Sequence, residues 1–397
     1  MLLLSIALAA SASVQTPSPP PPANIVVTGR RLHDYRAALE ACLARNCPPN
    51  EDIDATLALA EALFVQGNYR EARRTILRSI SRNHDEARNF PEPVSDLYRS
   101  NARVARNLGL DRQARFATVE ILETLQTGIP VEDHRHLTAR FEIAQQMIAF
   151  GQYRSAHRIL RDIAERARAL GRDDVVARAE LRQEWLARAY VPRGTPPSRT
   201  LLAFAQSPDP IRSISAKMLL VRIYSESGNT READRLIAEL GRTNGRRQLL
   251  YAPPYEMLQR EDVEGNTQRA EALYGQSGVG GRPLFMSNLG ARMPGNFEDK
   301  WIDVAYWIRP DGNVESVEIV RSRGEVNWAR PLISSIRGRR YAPSEGASTY
   351  RLERYTYTSG YDPLPSGTRT ATRSPRARVE YFDLSESSAP PAEPPAR

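Results

Sequence analysis

Catalysis and metal binding need His, Cys, Asp or Glu brought to one place, and this chain of 397 residues holds only five His and two Cys. The histidines stand apart at His33, His84, His134, His136 and His157. On a helix, His134-x-His136 sends its two rings about 200° apart, which suits no single ion. Asp173-Asp174 reads as a helix start, where the macrodipole favours carboxylates, rather than as an acid–base pair. The chain has no G-x-S-x-G, no H-E-x-x-H and no reactive-cysteine context. Cys42 and Cys47 lie in "EACLARNCPP", where Asn46 turns the chain and Pro48-Pro49 stops a helix. Close spacing and even number predict one disulfide, worth about 2 kcal/mol in the chain-entropy account. Two ligands without a nearby His are too few for zinc. The expectation is a protein that is not an enzyme and carries no cofactor and no metal.

Those residues must be placed by longer elements, and the N-terminus sets their context. "MLLLSIALAASASVQT" is a short apolar run ending at Ala10-Ser11-Ala12, an A-x-A cleavage pattern. It is too short to span a bilayer, so 1–13 reads as a signal peptide, and the protein is expected in the periplasm of a Gram-negative envelope. The paired cysteines agree with an oxidising compartment. Residues 14–31 form a proline-rich linker that ends in a β-prone stretch, Ile25, Val26, Val27, Thr28 and Gly29. The formal charge is +8. Lys occurs only at 217 and 300, and the arginines are spread among Asp and Glu rather than gathered. With no nucleic-acid motif beside it, this pattern reads as a solvated helical surface, and no nucleic acid is expected as partner.

From residue 32 onward a repeat emerges. "GNYREA", "GLDRQA", "GQYRSA" and "GNTREA" set Gly67, Gly109, Gly151 and Gly228 five residues before Ala72, Ala114, Ala156 and Ala233. Each Gly separates two amphipathic runs. Gly permits a tight turn between antiparallel helices, and the small Ala lets the second helix approach the first. The pattern lapses between 173 and 206, and "YVPRGTPPSRT" reads as a loop. Stripes such as Leu57, Leu63, Phe64 and Ile76, or Phe141, Met147, Ile148 and Ile159, read as core.

These runs resemble tetratricopeptide repeats, most closely at 67–72 and 151–156, with Ala60 and Ala144 small in the first helix and Ile76 and Leu160 apolar in the second. The resemblance implies a helical-repeat array over 32–274, whose groove binds protein segments. Its binding face would lie among the Arg and Tyr positions.

A Gly-rich stretch, 275–296, marks a linker, and a different pattern follows. Ile302, Val304, Tyr306 and Ile308 alternate onto one face of a strand. Asp311 and Gly312 signal a hairpin turn. Val317 and Ile319 share a face of the return strand, while Val314 falls out of phase, which predicts a later start or a bulge. Trp328, Leu332 and Ile336 share a helical face after Asn327, and "TYRLERYTYTSGY" supplies a third strand.

This β-β-α-β order over 297–361 resembles the C-terminal domain of the TonB family. Val314-x-x-Val317-x-Ile319-Val320, Ser322 and the helix running into Arg340-Tyr341-x-Pro343 carry the likeness. Arg339 stands where that family has Trp. The resemblance implies a sheet edge that accepts the N-terminal box of an outer-membrane receptor by strand addition. That edge maps to Tyr350, Arg351, Leu352, Glu353, Arg354, Tyr355, Thr356, Tyr357 and Thr358. Residues 25–29 resemble such a box, so a donor and an acceptor in one chain predict possible self-association through the edge. Beyond 361 the chain turns polar. "VEYFDL" is a candidate further strand, and 362–397 is otherwise expected to be mostly disordered.

The fold class expected is therefore α+β: an N-terminal all-α tetratricopeptide-like solenoid, then a small β-β-α-β TonB-C-terminal-like domain. The function expected is a protein–protein interaction scaffold at the cell envelope, with no integral membrane segment after signal cleavage. Its partners would be other envelope proteins, among them TonB-dependent receptors or the TonB machinery. An accessory part in TonB-dependent outer-membrane transport stands as the second reading. An envelope enzyme of unfamiliar pattern is the third.

Overall fold

The computed structural model describes residues 31–188, 194–240, 248–253, 300–363 and 371–385. The expected signal peptide, the 25–29 strand donor and the 275–296 linker lie outside them. Eleven helices come first: α1 (Leu32–Ala44), α2 (Pro49–Val65), α3 (Tyr69–Asn83), α4 (Pro91–Asn107), α5 (Asp111–Gly128), α6 (His134–Ala149), α7 (Tyr153–Ala169), α8 (Asp173–Ala187), α9 (Arg199–Ala205), α10 (Pro210–Glu226) and α11 (Thr230–Leu240). Local chemistry sets their ends. Pro49, Pro91 and Pro210 occupy first-turn positions, and Asp133, Ser198 and Asp209 accept N-terminal amides with their side chains.

The four repeat glycines all take positive φ, between 68° and 77°. Their paired alanines are buried, Ala72, Ala114 and Ala156 completely, so helices of one hairpin meet over a methyl group. Ala60, Ala144, Ile76 and Leu160 are buried as expected. The array does not lapse after residue 173: α8 continues it, with Val176, Ala179 and Leu186 packed on α6 and α7. What lapses is only the Gly-x-x-x-x-Ala spelling. Among the described residues no helix is long and apolar enough to cross a membrane.

Six strands follow: β1 (Leu249–Tyr251), β2 (Trp301–Ile308), β3 (Val314–Arg323), β4 (Arg340–Tyr341), β5 (Thr349–Pro363) and β6 (Ala371–Asp383), with α12 (Arg330–Arg337) between β3 and β4. The main sheet is antiparallel in the order β3-β2-β5-β6, and β1 pairs with β4 in a separate two-stranded ladder. Gly312 turns the β2–β3 hairpin at φ 84°, while Asp311 accepts the Asn313 amide at 3.0 Å. Val314 is out of phase because Ser316 sits at φ 52° beside a register shift, a bulge that brings both Val314 and Val317 onto the core.

Ile302, Val304, Tyr306 and Ile308 face α12, packing with Leu332 and Ile336. Yet all eight residues of β2 are buried. The first helical hairpins cover the second face, as Trp301 joins their core and Phe382 packs against it, while Leu250 and Ala342 of the separate β1–β4 ladder join the core of the last hairpins. The main sheet is thus held against the first hairpins, and the small ladder against the last.

Two expectations change here. Residues 350–358 are not an open sheet edge: residues 349–356 pair with β2, residues 353–363 pair with β6, and the Leu384 amide donates to the Leu352 carbonyl just beyond that ladder. The tail is not merely disordered, because Ala371–Asp383 is the strand that fills that edge. Within the described part of the sheet the outer strands are β3 and β6. β3 is broken by its bulge and carries exposed Glu318, Arg321 and Arg323, features that blunt an edge against pairing.

Candidate functional site

On the array side of the sheet, β5 presents Leu352, Arg354, Thr356 and Thr358. Arg354 is fully buried, binds both oxygens of the equally buried Asp303 (2.6 and 2.9 Å), and donates to the Phe64 carbonyl at the end of α2 (2.9 Å). Its guanidinium lies 3.8 Å from the centre of the Trp301 ring. Burial alone would lower its pKa, but hydrogen bonds and charge from Asp303 and Tyr69 together outweigh that and raise it, so the side chain stays charged. Tyr69 and Thr356 share a hydroxyl hydrogen bond of 2.9 Å. On β6, Arg378 pairs with Asp111 (2.5 and 2.9 Å), and Glu380 pairs with Arg106 at 2.6 Å. Phe382 meets the Phe64 ring at 5.1 Å, with Arg103 over it.

The helix turns make this approach possible. A Cβ on Gly67 would fall within the Trp301 indole, and one on Gly109 would fall on the Ser359 carbonyl of β5. The repeat glycines at 67 and 109 therefore serve the sheet as well as their own turns, whereas Gly151 and Gly228 face open space.

On the opposite face, Arg351, Glu353, Tyr355 and Tyr357 of β5 lie beside α12. Arg339 donates to Glu353 at 2.8 Å, to the Tyr355 hydroxyl at 2.7 Å and to the Tyr306 hydroxyl at 3.0 Å. Tyr306 and Tyr341 share a 2.7 Å hydrogen bond, and Tyr381 of β6 donates to Glu353 at 3.1 Å. A cleft of about 490 Å³ opens over this network. Burial first, then the charge of Glu353, raises the pKa of Tyr306, Tyr341, Tyr355 and Tyr381, so these phenols are neutral donors. The hydroxyls and the carboxyl satisfy one another, which marks a cohesive polar core more than a reactive centre. Arg339, just beyond α12, ties β2 and β5 together.

A further cavity lies between α6, α8 and α10. It measures about 590 Å³ and is lined by Phe141, Gln145 and Ile148 of α6, by Asp174, Arg178, Leu181, Arg182 and Trp185 of α8, and by Ile211, Ser215 and Leu219 of α10. Arg178 lies over the Phe141 ring at 4.7 Å. Arg182 lies over Trp185 at 5.2 Å, and Arg222 approaches the same ring at 5.9 Å. Burial lowers the pKa of Arg182, and the charges of Arg178 and Arg222 lower it further. Sequence reading assigned Phe141 and Ile148 to the core. The signal it passed over is Arg178, Arg182 and Trp185 at i, i+4 and i+7, one face of α8.

The remaining sequence candidates fall as follows. Cys42 and Cys47 form the disulfide, with Cα atoms 5.2 Å apart, and Asn46 turns the loop at φ 50°. Glu51 is the third member of the one group of metal-type side chains found among the described residues, and it pairs with Arg45 while both thiols are bridged. His134 is an exposed partner of Asp133, and His136 is buried and donates to the Pro130 carbonyl at 2.9 Å. Asp173 and Asp174 sit in the first turn of α8.

No family model matches the chain, and no curated protein matches it. Among solved structures it is similar to BtubC (BKLC) from P. vanneervenii, with 14% identity and a TM-score of 0.40 over 55% of this chain and 94% of that one. It is similar to a Rap protein complexed with competence and sporulation factor, with 14% identity and a TM-score of 0.36 over 53% of this chain and 62% of that one. Kinesin-light-chain TPR-like repeats from Podosopora anserina give 16% identity and a TM-score of 0.34 over 49% of this chain and 94% of that one. At these scores the helical-repeat architecture stands on the glycine turns and buried alanines of the chain itself.

Proposed function

We propose that this protein is a non-enzymatic protein–protein interaction scaffold of the cell envelope that takes an extended partner segment in the groove between α6, α8 and α10. The observation that carries the reading is the groove itself, where apolar and aromatic side chains from three helices stay open to solvent although the rest of their helices is packed. The envelope location rests on the N-terminal run and the disulfide. Strand addition to β5 is not the mode of binding in this reading, since β6 already holds that position. The main sheet instead secures the first hairpins of the helical array, and the β1–β4 ladder the last.

Random dodecapeptides displayed on phage and selected on the full chain test this. Binders are expected to be lost on Ser215→Trp, which plugs the groove while circular dichroism stays native. Binders indifferent to that substitution would refute the reading, as would a selection that yields none.

A further inference from the structure

We infer that the groove between α6, α8 and α10 is built for an acidic extended segment, carrying carboxylates on either side of one bulky apolar side chain. The inference rests on the groove-binding reading above and names the chemistry of the occupant. Three guanidinium groups, Arg178, Arg182 and Arg222, gather over two aromatic rings on this surface. Among the described residues, Arg178 and Arg182 have no carboxylate partner. The nearby acids are already engaged: Asp174 by Arg172 at 2.9 and 3.0 Å, Glu180 by Arg168 at 2.6 Å and by Arg212 at 3.3 Å, and Glu226 by Arg222 at 2.8 Å. Arg222 is thus already paired, but Arg178 and Arg182 stand together without counter-charge, which costs free energy that a bound anion relieves. A guanidinium over a ring keeps its N–H edge free for bidentate contact with a carboxylate.

The spacing selects the kind of anion. Arg178 and Arg182 lie one helical turn apart, about 6 Å along α8, and Arg222 reaches in from α10. Charge distributed in this way matches several single carboxylates along a chain better than one compact dianion. The apolar half of the site, with Ile211 58% exposed beside Trp185, supplies the anchor pocket between them.

The test titrates full-length protein into a fluorescein-labelled peptide of Asp and Leu residues around one Trp. The comparisons are the same peptide with Asn for every Asp, and a twelve-nucleotide oligothymidine. The acidic peptide is expected to bind at least tenfold tighter than the Asn peptide, and to weaken as salt is raised. Arg182→Glu should weaken it at least tenfold, while Arg161→Ala, a cation on the surface of α7, should leave it unchanged. Equal binding of the Asn peptide, no effect of Arg182→Glu, or tighter binding of oligothymidine at the same groove would overturn the inference. Groove-dependent phage binders that prove neutral or basic would sink this inference and leave the groove reading standing. If no binder depends on Ser215, both fail.

Discussion

Replacing Gly109 by Ala probes how the sheet and the helices are joined, because Gly151 supplies a matched control. Both glycines turn a helical hairpin, at φ 72° and 68°. An L-residue in that left-handed region costs about 1–2 kcal/mol at either position. At Gly151 nothing stands within 4 Å of the added methyl, so that cost is the whole effect. At Gly109 the methyl falls on the Ser359 carbonyl, part of the β5 backbone, which has no rotamer to move into. Relief requires β5 and β6 to back away, loosening the Arg378–Asp111 and Arg106–Glu380 pairs and the Phe64–Phe382 contact. Overpacking of this kind costs a further 1–3 kcal/mol or so. The expected total is about 2–5 kcal/mol for Gly109→Ala against about 1–2 for Gly151→Ala. Urea unfolding followed by circular dichroism, with the slope checked for two-state behaviour, measures the difference. Equal losses within about 0.5 kcal/mol, an ordinary limit of additivity, would refute the docking of β5 on the α4–α5 turn.

Other consequences follow from the same contacts. Arg354→Met leaves Asp303 buried with only Arg321 (2.7 Å) as partner, and should cost about 3–5 kcal/mol in urea unfolding. Burial acts to raise the pKa of Asp52, yet hydrogen bonds from Arg82 and Asn83 with the Arg82 charge hold it below the usual carboxylate value. Its stabilisation is therefore present above about pH 4, where the unfolded carboxyl is ionised, and is lost as pH falls through the lower folded value. Asp52→Asn should be less stable at pH 7 and show a shallower loss between pH 5 and 3 in thermal melts. The phenols around Arg339 have raised pKa values, so their contribution is complete below about pH 10 and declines as pH rises above it. Absorbance at 295 nm should show them ionising together with unfolding, not ahead of it. Cys42→Ser with Cys47→Ser opens a short loop and should cost about 2 kcal/mol, read as a lower urea midpoint.

Much of this architecture was legible because simple periodicities carry it. The Gly-x-x-x-x-Ala runs announce hairpins, since a left-handed turn and a close helix approach each demand a particular small residue. The alternation of Ile302, Val304, Tyr306 and Ile308 gives the face that packs on α12, and the phase of Val314 foretells the Ser316 bulge. β6 was only partly legible, in "VEYFDL". Its earlier part, "ATRSPRAR", has the composition of a solvated tail, yet Arg373 and Arg378 find their partners on β5, α4 and α5. A strand whose polar side chains are satisfied by distant helices leaves no hydropathy signal. That is also why 350–358 read as an edge. The groove shows the complementary limit: the stripe on α8 is visible in sequence, but which helices stand opposite it depends on how the hairpins stack.

In the proposed reading the β5 edge is closed by the chain's own β6 and partners bind in the helical groove. Hydrogen exchange read by mass spectrometry, on the full chain with and without excess peptide 23–32, tests it most directly. Strong protection of both 350–358 and 371–383, unchanged by the peptide, is the expected result. Rapid exchange across 371–383 while 350–358 stays protected in the presence of peptide would contradict it, since the strand expected to close the edge would then have been displaced.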